Sequence, residues 1–289
     1  MKVTLFLINK KGYEVLKSIL DNEHARDLLD FVVRAKDKGN AEDYYVQIGE
    51  LCDLHSIKVY NRTNKFKVDS NYSIAIGWKW LIYNVQNLIV FHDSLLPKYR
   101  GFAPLPNMLI NGEHHIGATA IFANDRMDEG QILYQRSCEI KYPIKIEHAI
   151  RLISKIYVDL ALTIFKNLIN QNELIATPQN HSEATYSIWR DEEDYRICWS
   201  KSSAEIGRFI DAVGYPYSGA KTKIGEDIIT ITDATVLDSY KFELIHPGKI
   251  LMFEDQMPIV LCGEGALKIK KAFLNDEPYI FSKLRVRFK

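Results

Sequence analysis

Residues 91–133, FHDSLLPKYRGFAPLPNMLINGEHHIGATAIFANDRMDEGQIL, decide how the rest of the chain is read. They leave an apolar run, LIVF at 88–91, and pass directly into His92, Asp93 and Ser94. A buried strand that ends abruptly in polar residues delivers them to the carboxyl edge of a sheet, where open α/β folds hold their ligands. A second strand is expected at 116–122, followed by a polar turn at 123–130 that carries Asp125, Asp128 and Glu129. Two such strands lying parallel and adjacent would present His92 and Asp128 at the same edge. Between them Pro97, Gly101, Pro104 and Pro106 break the connection into a shaped loop feeding a short helix near 107–111.

With 289 residues, 47% of them apolar, the chain can bury a full core and has the length of two domains. Lys plus Arg equals Asp plus Glu at 37 each, so no overall field favours nucleic acid or an anionic membrane. Cys52, Cys138, Cys198 and Cys262 lie far apart with no C-x-x-C pair, and the opening MKVTLFLINKKG has too short an apolar run for a signal peptide. Free thiols in a reducing cytoplasm are therefore expected. No apolar run approaches the roughly 20 residues that span a bilayer. His114 and His115 adjoin no second ligand pair at a zinc spacing, so no metal site is expected.

Outward from the central stretch, residues 3–8 read as a first buried strand and 13–20 as a helix with Val15, Leu16, Ile19 and Leu20 on one face. The turn between them, Asn9-Lys10-Lys11-Gly12, lacks the glycine pattern of a dinucleotide fold, which speaks against NAD. Lys10 and Lys11 at a helix entrance suit a substrate diphosphate, with solvated surface lysines as the plain alternative. Further strands are expected at 31–34, 57–60 and 72–76, the last running into Gly77-Trp78-Lys79-Trp80, with a helix at 41–54. Residues 146–169 carry Ile150, Ile153, Tyr157, Leu160 and Ile164 at the spacing of a long amphipathic helix. After a polar stretch at 178–194, Ser202-x-x-Glu205 has the form of a capping box opening a helix with Ile206, Phe209, Ile210 and Val213 on one side. From there short β segments at 220–224, 228–234, 249–253, 258–261 and 266–273, punctuated by glycines, fit a small barrel of the oligonucleotide-binding type. The expected architecture is α/β: a Rossmann-like, mostly parallel sheet with helices over 1–180, a linker at 181–200, and a C-terminal helix plus small β-barrel over 201–289.

HDSLLPKYRG at 92–101, NGE at 111–113 and MDEGQI at 127–132 resemble the folate-dependent formyltransferases, whose core reads Asn-x-His-x-Ser-Leu-Leu-Pro, Arg-Gly and later Asp-x-Gly. The interval from His92 to Asp128, 128 − 92 = 36 residues, is similar to the family's. WSKSSAEIGRFIDAVGYPYSGA at 199–220, HPGKIL at 246–251 and CGEGALKIKKA at 262–272 extend the likeness to the second domain of the larger members. The resemblance implies transfer of a formyl group from 10-formyltetrahydrofolate to an amine. It implies that the turn of Gly77, Trp78 and Lys79, together with Ala123, Asn124 and Asp125, holds the folate, Gly77 permitting close backbone approach. Tyr99, Arg100 and Gly101 stand beside Lys10 and Lys11 as the groups that meet the acceptor, Arg100 toward its diphosphate. One departure stands out: Val90 occupies the place of the family's catalytic Asn.

Formyl transfer needs an unprotonated amine, stabilisation of an oxyanion and an exit for a proton. A histidine that titrates near neutrality serves as acid or base, worth about 10² to 10⁴ in rate, and His92 is that candidate. Asp128 would hold its imidazole in one tautomer and stabilise the charged form. Val90 donates nothing, and a missing oxyanion donor costs about 10² to 10³ in turnover. A backbone N–H at 92–94, the Ser94 hydroxyl or the Asn107 side chain are the stand-ins. HDSLLPKYRGF, GWKW and SIWRDEEDYRI at 187–197 are more similar to the branch that modifies sugars than to the branch acting on methionyl-tRNA. The expected acceptor is thus the amino group of a nucleotide-linked amino sugar, as in surface polysaccharide biosynthesis, with no nucleic acid or membrane partner. Methionyl-tRNA is the alternative acceptor, suggested by a basic tail of Lys268, Lys270, Lys271, Lys283, Arg285, Arg287 and Lys289 that faces only Asp276 and Glu277. Val90 motivates a third reading, a non-catalytic folate or sugar-nucleotide binding protein. Zero net charge disfavours the tRNA reading and leaves packing, or self-association into a homodimer, as the use of the small barrel.

Overall fold

A computed structural model describes residues 1–37, 41–237 and 240–289. The chain divides into two compact units, one of Met1–Leu105, His115–Glu139 and Ala149–Ile188, the other of Pro106–His114, Ile140–His148 and Trp189–Lys289.

In the first unit β1 (Val3–Leu7) is buried at every position and hands over to α1 (Asn9–Leu20), whose buried Val15, Leu16, Ile19 and Leu20 form the stripe that the sequence spacing predicts. A short α2 (Glu23–Arg26), capped by the Asn22 side chain on Ala25 N, leads to β2 (Leu29–Arg34). Next come α3 (Tyr45–Leu54), β3 (Lys58–Asn61), β4 (Tyr72–Ile76) and β5 (Leu88–His92). Then follow β6 (Arg100–Gly101), α4 (Pro104–Asn111), β7 (His115–Phe122), β8 (Ile132–Glu139), α5 (Ile146–Ile169) and β9 (Tyr186–Ser187). The main sheet has the order β3-β2-β1-β4-β5-β7-β8, parallel from β3 to β5. The fold class is the expected Rossmann-like α/β, and one pairing departs from expectation. β5 and β7 are neighbours, but antiparallel, with His92 opposite Thr119 and Ile89 opposite Phe122. The reason is the connection: residues 93–114 leave and re-enter the sheet at one edge, whereas a parallel pair would need a crossover back to the other. β7 therefore ends beside the start of β5, and Asp128 reaches His92 only because residues 123–131 turn back before β8.

Alternation along the strands sorts the apolar residues onto two faces. On one, Phe6, Phe31, Val33 and Ala75 form a cluster that Trp78, Val90 and other side chains from the loops complete. On the other, Phe91 meets Tyr157 of α5 with ring centroids 5.1 Å apart. β8 (ILYQRSCE) escaped the sequence reading because its polar and apolar residues do not alternate and few are buried.

In the second unit the capping box forms as read: Ser202 Oγ accepts from Glu205 N at 3.2 Å, and Glu205 Oε2 accepts from Ser202 N at 3.0 Å. It opens α6 (Ser203–Val213), which is followed by β10 (Ala220–Ile224), β11 (Asp227–Leu237), β12 (Ile250–Glu254), β13 (Met257–Leu261), β14 (Ala266–Leu274) and β15 (Glu277–Pro278). These strands make an antiparallel sheet in the order β10-β11-β14-β13-β12, with β15 on β14. Ile206, Ile210 and Val213 of α6 share its core with Trp199, Ile231 and Phe288. The buried indole N–H of Trp199 donates to Thr222 Oγ1 at 2.9 Å, so this large side chain enters the core without an orphaned donor.

Candidate active site

His92 ends β5 and is 7% exposed. Its Nε2 lies 2.7 Å from the Tyr99 carbonyl oxygen, which only accepts, so Nε2 carries a hydrogen. In the neutral ring the lone pair is then on Nδ1, and Nδ1 faces Asp128 Oδ1 at 3.6 Å. The tautomer is thus set by the Tyr99 carbonyl rather than by Asp128. The carboxylate is left as the acceptor that faces Nδ1 whenever that atom carries a proton.

Asp128 is itself held firmly. Its Oδ2 accepts from Gly101 N at 2.7 Å, and its carbonyl accepts from Gln179 Nε2, also at 2.7 Å. That amide donates to the Gly130 carbonyl as well, at 2.8 Å. Behind it Arg100, 1% exposed, donates to Gln179 Oε1 through Nε at 3.2 Å and Nη2 at 2.7 Å. Arg100 Nη1 also stands 3.4 Å from Glu129. The two glycines of the motifs have steric reasons. A Cβ on Gly130 would sit 1.7 Å from the Phe122 carbonyl oxygen, and one on Gly101, at φ 99°, 2.5 Å from the Ser187 carbonyl oxygen. Arg-Gly and Asp-x-Gly are therefore one structure, a buried arginine and two close backbone approaches that fix a carboxylate opposite His92.

Ser94 is fully buried, and its hydroxyl donates to the Lys98 carbonyl at 2.6 Å, closing the turn that follows β5. Thr119 and Gln135 pin the same turn through Ser94 O and Leu96 O. The proton expected for an oxyanion is thus already used. Asn107, the other expected stand-in, belongs to the second unit and accepts from Arg190 Nη2. Val90 lies on the same strand face as His92 and packs against the Phe6 cluster.

Asp93, next to His92, turns to the opposite face, where it pairs with the Lys11 ammonium and accepts from Tyr157 Oη at 2.5 Å. Burial alone would raise its pKa; the Lys11 charge, with hydrogen bonds from Lys11 and Tyr157, outweighs burial and holds the carboxyl below its usual range. Burial, then the Asp93 charge, pushes the Tyr157 phenol well above its ordinary value. Lys11 and Arg100 are therefore engaged inside the fold instead of being presented to a diphosphate. Lys10 stays partly exposed at the start of α1.

A cleft of about 430 Å³ opens at the start of β5 and the end of β7, lined by Ala123, Asn124 and Asp125 and by Ile82, Asn84 and Val85. Gly77, Trp78 and Lys79 are not in its wall. Gly77, at φ 64°, gives way to Asn9, whose Nδ2 would lie 2.5 Å from an added Cβ. Trp78 packs on Phe6 with centroids 5.3 Å apart, and Lys79 Nζ donates to Asp37 Oδ1 at 2.6 Å. The same loop reaches the cleft five residues further on. Sequence reasoning missed Gln179, which lies in the polar stretch at 178–194, and the Lys11–Asp93–Tyr157 group, whose members stand far apart in the chain. No local pattern marks either.

Residues 65–151 match the formyl transferase family, and residues 190–278 match the formyl transferase C-terminal domain. The chain belongs to the formyl transferase family. Among solved structures this formyl transferase is similar to the N-formyltransferase from Helicobacter canadensis in complex with folinic acid and dTDP-3-aminofucose, at 18% identity and a TM-score of 0.71, covering 94% of this chain and 100% of that one. It is similar to a variant of HypX from Aquifex aeolicus at 18% identity and a TM-score of 0.63, covering 95% of this chain and 44% of HypX, so it spans less than half of that protein. The methionyl-tRNA formyltransferase from Clostridium thermocellum, also 18% identical, covers 83% of this chain and 95% of its own, with a TM-score of 0.56. At this identity the likenesses establish the fold shared with these enzymes.

Proposed function

We propose that this formyl transferase moves a formyl group from 10-formyltetrahydrofolate to the amino group of a nucleotide-linked amino sugar. The observation that carries the reading is the His92–Asp128 pair, buried and held by Tyr99 and Gly101, with His92 on the face of β5 that also carries Leu88, which lines the cleft together with Ala123, Asn124 and Asp125. The folate supplies the formyl group on N10, and the acceptor amine forms the new C–N bond as the bond to N10 breaks. His92 Nδ1 takes the proton that the attacking amine must shed, and Asp128 stabilises the imidazolium so formed. The same proton is then available to the departing N10 nitrogen. Ser94 serves by holding the 94–98 turn, and so the Tyr99 carbonyl that orients His92. The catalytic domain of this reading covers residues 1–180 and the C-terminal domain 201–289, in a cytoplasmic enzyme.

The folinic acid and dTDP-3-aminofucose held by the Helicobacter canadensis enzyme support the donor and the acceptor class. The tRNA reading gains from its own relative and from the basic tail. That tail is less basic than its sequence: Lys268 is paired with Glu254 and Asp255 across β12 and β14, two carboxylates that counting along the tail leaves out. Incubation with 10-formyltetrahydrofolate and a panel of nucleotide-linked amino sugars, followed by mass measurement, tests the proposal. A product heavier by one formyl group supports it. Binding of both ligands by calorimetry without product supports the non-catalytic reading instead.

A further inference from the structure

The cations assigned to a diphosphate by sequence, Lys11 and Arg100, are neutralised inside the fold, yet the same sheet edge carries other cations in a cleft of their own. This cleft, about 530 Å³, lies at the carboxyl ends of β2 and β3, with Arg34, Lys36, Arg62, Tyr45, Asn61 and Trp80 in its wall. We propose that it is a nucleoside diphosphate site, in which Arg34, Lys36 and Arg62 meet the phosphates and Tyr45 and Trp80 flank the base. The proposal deepens the sugar-nucleotide reading and rests on it for the identity of the ligand.

Arg34 is built in rather than left on the surface. A Cβ on Gly49 of α3 would lie 1.6 Å from Arg34 Nη1, so glycine at that helix position makes the space the guanidinium occupies. Arg34 Nη1 donates to the Tyr45 carbonyl at 2.8 Å and Nε to Asn61 Oδ1 at 3.3 Å. Asn61 Oδ1 also accepts from Tyr45 Oη at 2.6 Å. Cation, ring and amide are thereby fixed before any ligand arrives, and among the described residues Arg34 Nη2 has no hydrogen-bond partner. Arg34 stands over the Tyr45 ring at 4.2 Å, and Arg62 over the Trp80 ring at 4.6 Å. Flat cations on flat rings offer both charge and stacking surface, which suits a ligand that is anionic at one end and planar at the other.

The local charge has the right sign. Asp37 is the carboxylate in the wall, and it is paired with Lys79 at 2.6 Å. Among the described residues no ion pair engages Arg34, Lys36 or Arg62. Distance fits as well. From β5, which carries His92, to β2 is three strand spacings along the order β2-β1-β4-β5, or about 14 Å. A hexose with its amine at His92, followed by two phosphates and a nucleoside, spans a length of that order along the sheet edge.

The test is calorimetric titration of the full chain with UDP, dTDP, GDP and ADP, with the nucleosides and inorganic pyrophosphate as controls, against wild type, Arg62→Ala and Arg34→Met. Because Arg34 is packed, Arg62→Ala, at an exposed position, is the variant that guards against a folding artefact. Expected are binding of at least one nucleoside diphosphate and at least tenfold weaker binding in each folded variant. Saturating 5-formyltetrahydrofolate should leave that affinity unchanged. Displacement by the folate would overturn the proposal by giving the cleft to the donor's glutamate tail, and so would equal affinity in the variants or no binding to wild type. Formylation of nucleotide amino sugars, run in parallel, separates the two claims. A sugar formylated with unchanged KM by both variants sinks this site while the proposed function stands. Nucleotide binding lost in the variants, with no sugar formylated by wild type, keeps the site and removes the function.

Discussion

Replacing Lys11 by Met removes the cation from a pair whose side chains are only 14% and 15% exposed, and it leaves Asp93 buried with Tyr157 as its remaining donor. Deleting one partner of a buried ion pair costs about 3 to 5 kcal/mol, because an uncompensated charge stays behind. The retained Tyr157 hydrogen bond at 2.5 Å puts the expected loss near the lower end, about 3 kcal/mol. For a domain of this size that is a fall in Tm of about 6 to 12 °C. The loss also has a pH signature. In the wild type the Asp93 pKa is depressed, so its contribution is present above the unfolded value, about 3.9, and is lost as pH falls through the lower folded value. In the variant, burial without Lys11 raises that pKa above the unfolded value. The folded state then binds a proton more readily than the unfolded chain, and the penalty disappears on acidification. Scanning calorimetry from pH 4 to pH 8 should therefore show a deficit largest at pH 8 and shrinking toward pH 4. Lys11→Met/Asp93→Asn should recover most of it. A deficit below about 1 kcal/mol, or one independent of pH, would refute the reasoning.

His92→Ala and Asp128→Asn should each lower the single-turnover rate at least about tenfold with the fold retained; near wild-type turnover in either removes that residue from the mechanism. Burial, against the weaker opposing pull of Lys145, raises the Asp211 pKa to about 6. The folded state then holds a proton that the unfolded state releases, so stability falls as pH rises from about 4 to 6. Asp211→Asn should raise the Tm of the C-terminal unit at pH 8, by an equivalent of up to about 3 kcal/mol for two pKa units, and give no gain near pH 4. The same gain at both pH values would contradict this. Val90→Asn should cost about 1 to 3 kcal/mol, since Val90 packs against the Phe6 cluster and an unpaired amide there loses its solvation; chemical denaturation measures it, and a neutral result would mean that the amide finds a partner toward His92.

Much of the fold was legible because its signals are local. The apolar runs at 72–76 and 88–91, the stripe on 146–169 and the Ser202–Glu205 capping box each declare their element within a few residues. The direction of β7 was not legible, because an apolar run carries no sign of which way it crosses a sheet. In the candidate site, His92 and Asp128 were found, but what fixes them was not. The Tyr99 carbonyl is a backbone group that any residue would supply, and Gln179 acts across 179 − 128 = 51 positions. Lys11 and Arg100 were given to a diphosphate because a sequence shows a cation but not its buried partner. Arg34 and Arg62 went unread, and Trp80 was not joined to them, for the converse reason: they come together only when β2, β3 and the loop after β4 are side by side.

The central claim, formyl transfer to a nucleotide amino sugar, meets its most direct test in one side-by-side measurement: formylation of a nucleotide amino sugar and of methionyl-tRNA across a salt series. A tRNA must displace condensed counterions from many phosphates, so its use falls steeply with salt, whereas a single diphosphate responds far less. With 37 basic and 37 acidic residues and Lys268 already paired, the account predicts sugar formylation that changes little with salt and negligible transfer to tRNA. Efficient tRNA formylation with steep salt inhibition, and none of the sugar, would contradict it.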